Sequence, residues 1–213
     1  MHFKVYVIHR ADQYVEDLLA PYDENIQVEP YFVTRMEELE AQAAVNGMSV
    51  EEYAEHLMNY THDEQGNCYS TYNPKGKWDW WQEYGRFGAL EYIDDDGEPT
   101  ISNIDFSGDP AVRKGCEEWW DRYIDTDEPT KYNPEYYKAK YKDKETYVAV
   151  EAAEWPYACI TPDGEWHAPG EMGYFASSES DEAWIDWMIH FKERYLDPYD
   201  PDTTYITVID CHI

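Results

Sequence analysis

Along the first segment, HFKVYVIH (2–9), Phe3, Val5 and Val7 recur at every second position. That period is the signature of a half-buried strand. The pattern then changes to helical spacing: Tyr14, Val15, Leu18 and Leu19 share a stripe that Pro21 ends. Thr34 is placed to cap a helix running to about residue 46, where Asn46-Gly47 stops it. Ser49 followed by Glu52 forms a capping box ahead of a second stripe, Val50, Tyr53, Ala54, Leu57 and Met58. From Gly66 to Asn103 the chain reads as short aromatic strands and turns, with Asn73-Pro74 and Asp94–Gly97 as punctuation. Asp109-Pro110, a cap with proline in the first turn, opens a helix carrying Val112, Cys116, Trp119, Trp120 and Tyr123. A short helix is expected after Asn133-Pro134. Thr146–Val150 and Pro156–Thr161 read as strands, and Asp163-Gly164 as a tight hairpin into Glu165–Ala168. Ser180 caps a long helix with Trp184, Trp187, Met188, Phe191 and Tyr195 on one stripe, and TTYITVID (203–210) is a β-branched final strand. Strands at both ends with helices between them predict an α+β fold. We expect one domain over 1–213, with a mixed or antiparallel sheet holding both terminal strands and about five helices packed on it.

Charge changes this picture more than length does. The chain has 46 acidic and 16 basic residues, a net charge of −30, yet 17% of it is aromatic. Acidity with few aromatics marks a disordered, solvating chain; nine Trp and 21 Tyr are instead material for a core or a binding surface. Such a body repels nucleic acid and anionic membranes and attracts basic proteins. The opening residues lack the apolar core of a signal peptide, and no apolar run approaches the ~20 residues that span a bilayer. These features predict a cytoplasmic protein. Cys68, Cys116, Cys159 and Cys211 form no CxxC pair and are expected as free, mostly buried thiols.

The densest candidate for chemistry is YNPKGKWDWWQEYGRFG (72–88). Asp79 stands between Trp78 and the pair Trp80-Trp81, and Arg86 is near enough in sequence to orient it or bind an anion. Trp78, Asp79, Trp81 and Arg86 are thus a candidate platform for a base or nucleotide; the competing reading is a two-sided structural strand. At the other end of the chain, Asp210 and His212 are two apart on one strand and project from one face. If the N-terminal strand lies beside them, His2 joins the pair. The three then form either a weak candidate metal site or a His–Asp hydrogen bond that ties the strands. Asp94, Asp95, Asp96 and Glu98 are the strongest of several acidic runs, although they lack the register of a calcium-binding loop. No P-loop, dinucleotide fingerprint, nucleophile elbow or HExxH helix is present, so no cofactor and no catalytic residue is assigned.

HFKVYVI at the start, APYDEN (20–25), the 72–88 segment, GEWHAPGEMG (164–173) and the closing VIDCHI together resemble a family of uncharacterised proteins encoded by bacteriophages, prophages and their hosts. The similar pieces reach both ends of the chain. It departs from that family at Tyr84-Gly85-Arg86-Phe87, where the family usually reads Gly-Gly-Arg-Trp, and at Gly173-Tyr174-Phe175, where it usually reads Gly-Trp-Trp. The resemblance implies a viral or mobile-element setting and no particular reaction.

Charge and setting together predict an acidic accessory protein, not an enzyme, that binds and blocks a basic, nucleic-acid-binding host protein such as a nuclease, restriction or CRISPR effector. On this reading its carboxylates imitate the phosphates of a nucleic acid, and it contacts neither nucleic acid nor membrane itself. The alternative is an enzyme or binding module for a nucleotide-like small molecule, using the Trp78–Arg86 segment.

Overall fold

The computed structural model describes residues 1–94, 97–173 and 177–213, with the side chains of His56 and Leu57 outside that description. The chain is mixed α+β and divides into two compact units. Residues 1–20 and 80–213 form the larger; residues 21–79 form the smaller.

The larger unit is built on a five-stranded mixed sheet, and the two outermost segments of the chain lie side by side within it. Strand β1 (His2–Arg10) pairs along its full length, antiparallel, with β8 (Thr204–His212). Strand β5 (Trp80–Glu83) adds to the other edge of β8, while β6 (Ala158–Ile160) runs parallel to β1 and carries β7 (Trp166–His167) as a hairpin. The order is β5-β8-β1-β6-β7. The hairpin turns at Gly164, whose φ of +82° suits glycine, as Asp163-Gly164 predicted. Strand β1 departs from expectation in one respect. Phe3, Val5 and Val7 are buried on one face as read, but Tyr6 and Ile8 are buried on the other, so the strand is covered on both sides.

Helices α4 (Pro110–Tyr123), α5 (Pro134–Tyr141), α6 (Lys144–Glu151) and α7 (Asp181–Tyr195) belong to this unit, along with the short α1 (Val15–Leu19). Their starts follow the caps. Asp109, Asn133, Asp143 and Ser180 each accept a backbone N–H of the first turn through the side chain, satisfying a donor that has no partner within the helix. The core joins Tyr6, Ile8, Ile206 and Val208 of the sheet to Trp120, Val148, Val150, Trp187 and Phe191 of the helices. Residues 146–150, expected as a strand, are a helix. Asp143 caps it, and the period places Tyr147, Val148 and Val150 inward; burial overrides the weak strand preference of Thr and Val.

The smaller unit holds a three-stranded antiparallel sheet of order β2-β4-β3, made of β2 (Gln27–Arg35), β3 (Thr61–His62) and β4 (Asn67–Tyr72). Two short helices, α2 (Met36–Val45) and α3 (Val50–Glu52), enclose Leu39, Ala54 and Cys68 against it, and α3 continues into a π-helical turn over Tyr53–Leu57. The Ser49–Glu52 capping box forms with both reciprocal bonds. Thr34 does not cap α2. It lies in β2, Arg35 occupies the cap position, and the Thr34 hydroxyl binds Glu38 instead.

All four cysteines are free, and Cys68, Cys159 and Cys211 are buried. Among the described residues no helix is long and apolar enough to cross a membrane.

Candidate functional site

The register of the central strands brings the polar residues of both chain ends together. In the β1–β8 ladder His2 faces His212 and Lys4 faces Asp210; in the β5–β8 ladder Trp80 faces His212 and Gln82 faces Asp210. Residues paired across a ladder share a face, so His2, Lys4, Asp210, His212 and Trp80 lie on the same side of the sheet.

Asp210 is the only buried carboxylate among the described residues. Burying a charge is tolerable only when its oxygens find partners. One oxygen lies 2.8 Å from Nδ1 of His2. The other accepts the backbone N–H of Arg86 at 3.1 Å and stands 3.6 Å from the Arg86 Nε. The His2 ring meets His212 edge-on at 4.8 Å and Trp80 edge-on at 5.9 Å.

A sharp turn makes this possible. Tyr84 donates its N–H to the Val208 carbonyl and adopts φ +61°, Gly85 follows at φ +46°, and a 3-10 turn over Gly85–Phe87 ends at Gly88. A Cβ at Gly85 would stand 2.4 Å from both Cβ and Oδ2 of Asp210. Only glycine therefore lets the backbone approach closely enough to donate to the carboxylate.

Of the residues singled out in the sequence, His2, Asp210, His212 and Arg86 assemble here. The His–Asp bond between terminal strands forms as expected; among the described residues no group of three His, Cys, Asp or Glu side chains is arranged to hold a metal. Arg86, read as able to orient Asp79 or bind an anion, pairs with Asp210. Trp81 is half-buried in β5, opposite Cys211. Trp78 and Asp79 belong to the smaller unit, where Trp78 bridges to Asp23 and the Asp79 carbonyl accepts from Asn25 at 2.8 Å. The expected two-sided strand over 78–81 thus begins only at Trp80. Asp94 and Glu98 are exposed, their carbonyls tied together by the Asn103 amide; Asp95 and Asp96 lie outside the described residues.

Beside this cluster the larger unit contains a cleft of about 390 Å³. Its floor is the same sheet face, Lys4, Tyr6 and Val208; its walls are Phe87–Glu91, Asp105–Asp109, α6, residues 152–155 and α7. The turn that Asp210 fixes supplies Phe87 and Gly88 to one wall. The Lys4 ammonium binds the Glu154 carbonyl and lies 5.6 Å from the centre of the Tyr6 ring. Burial lowers its pKa, partly offset by the nearby Glu154 charge, and burial first and Glu154 second push the Tyr6 phenol up. The sequence reading passed over Lys4, Tyr6, Phe106 and Trp155. One signal was available: Lys4 alternates in phase with Tyr6 and Ile8, which places an ammonium on a face that proves to be core.

Compared with protein-family models, with curated proteins and with solved structures, the chain finds no match in any of the three. The site is therefore interpreted from its own geometry.

Proposed function

We propose that this chain is a non-enzymatic acidic binding protein that occupies a basic surface on a nucleic-acid-binding protein of a bacterial host, in the host cytoplasm. The observation that carries the reading is where the charge resides. Asp210 is the only buried carboxylate among the described residues, so the acidity is a property of the surface and not of the core. Seven of the 16 basic residues, Arg113, Lys114, Lys138, Lys140, Lys144, Lys192 and Arg194, each pair with a carboxylate of this chain. Exposed Tyr14, Phe32, Tyr72, Trp80, Tyr84 and Tyr136 are the large side chains suited to anchor a partner once charge has steered it in. The resemblance to phage and prophage proteins supplies the setting, and a nuclease, restriction or CRISPR effector fits the charge.

The test is capture from bacterial lysate on the immobilised protein, with and without duplex DNA as competitor and at rising salt. The expected outcome is retention of basic nucleic-acid-binding proteins, released by DNA and by salt. Retention that neither DNA nor salt weakens, or no such protein retained at low salt, refutes the proposal.

A further inference from the structure

The cleft in the larger unit has features that an acidic docking surface does not require. Lys4 is a half-buried lysine in a chain with 46 carboxylates, yet its ammonium is bound to a main-chain carbonyl. Asp210, directly opposite it in the ladder, is engaged instead by His2 and Arg86. An ammonium has three N–H donors. With one directed at Glu154, Lys4 keeps donor capacity on the floor of a cavity large enough for a small organic molecule. Four aromatic side chains, Tyr6, Phe87, Phe106 and Trp155, line it among small, aliphatic and acidic residues, and the rings of Phe106 and Trp155 have centres 5.5 Å apart.

The rim limits the charge of the occupant. Glu91, Asp105, Asp109 and Glu154 line the cleft, the Glu154 charge already acts on Lys4, and Arg113 is paired with Glu117. These carboxylates repel a phosphate with two or more charges more strongly than a single negative charge, whereas a neutral molecule would gain only an uncharged acceptor's hydrogen bond from the ammonium. We propose that the cleft binds a small aromatic monocarboxylate, with its carboxylate on Lys4 and its ring against Phe106 and Trp155. This site does not depend on the proposed partner.

Calorimetry with naphthalene-2-carboxylate, 2-naphthamide and 2-naphthylmethylammonium tests it, because the three probes share a ring and differ in head-group charge. The carboxylate should bind most tightly. Lys4→Met should weaken it roughly tenfold or more, to the level of the amide, while Lys4→Arg retains the preference. Ala149→Trp, which fills the α6 wall without altering Lys4, should abolish binding of both carboxylate and amide; urea unfolding checks that each variant folds. Equal affinity for carboxylate and amide, tighter binding of the ammonium, or an unchanged Lys4→Met overturns the proposal, as does the absence of binding to the parent protein at millimolar probe.

Discussion

Replacing Gly85 by alanine tests whether the approach of the 84–87 turn to Asp210 is as tight as described. Two costs add. An alanine at positive φ loses roughly 1–2 kcal/mol relative to glycine. The new Cβ would also lie 2.4 Å from Asp210, about an ångström inside ordinary contact, so the turn or the carboxylate must move. Movement breaks the Arg86 N–H bond to a buried carboxylate, and a hydrogen bond to a charged group contributes about 1.5–3 kcal/mol. The sum is roughly 3–5 kcal/mol, a fall in Tm of about 10 °C for a protein of this size. Gly164→Ala is the control: Gly164 has φ +82° in the hairpin turn but nothing within 4 Å of a built Cβ, so it should show the backbone cost alone. Urea unfolding of both variants measures the difference. If the two lose equal stability within about 0.5 kcal/mol, the contact with Asp210 does not constrain the turn and the reasoning fails.

Other outcomes follow from the same structure. Asp143→Ala should destabilise by about 1 kcal/mol through loss of the α6 cap, and Asp143→Asn much less; no effect would indicate that residues 144–151 are not helical in solution. Raising salt should increase the urea midpoint, because screening relieves the self-repulsion of a −30 body; a falling midpoint would show that local ion pairs outweigh it. Hydrogen bonds hold Asp125, Asp143 and Asp186 below the usual carboxylate range, mainly from Lys138, the Thr146 backbone and Arg194 respectively. Their stabilisation is therefore complete above the unfolded value of about 3.9 and is lost as pH falls through the folded values, so the midpoint should drop below about pH 4. Tyr141, Tyr147 and Tyr157 are shifted the other way, chiefly by burial, and stability should also fall above about pH 10, read from tyrosinate absorbance during alkaline unfolding. Native-state alkylation should reach Cys116 before the buried Cys68, Cys159 and Cys211, as peptide mapping would show.

What could be read from the chain was mostly local. Asp109-Pro110, Asn133-Pro134 and Ser180 announced their helices because a cap acts within one turn, and Asp163-Gly164 announced its hairpin for the same reason. The pairing of β1 with β8 was also foreseen, and with it the His2–Asp210 bond, since alternation fixes which side chains share a face. Where burial decided, the reading went astray. Residues 146–150 have strand-forming composition and became helix, and Tyr6 and Ile8 were taken for the open side of a half-buried strand. The bond between Arg86 and Asp210 joins residues 124 positions apart through a turn at positive φ; spacing in sequence pointed to Asp79 instead. The cleft was invisible for a related reason. Its lining comes from many separate segments, and of these only the end of the 72–88 segment stood out in the sequence.

The pairing of the outermost strands has a consequence for how the protein is made. Strand β8 lies inside the sheet, between β5 and β1, yet it is the last described strand to leave the ribosome, nearly the whole chain after β1. During synthesis β1 has no β8 beside it, and one edge of a strongly apolar strand stays open to other chains. The smaller unit draws its contacts from a continuous stretch, residues 21–79, and can close early. The larger must wait for residues 204–212. Because contacts distant in sequence slow folding, its assembly is expected to be late, slow and sensitive to crowding among nascent chains.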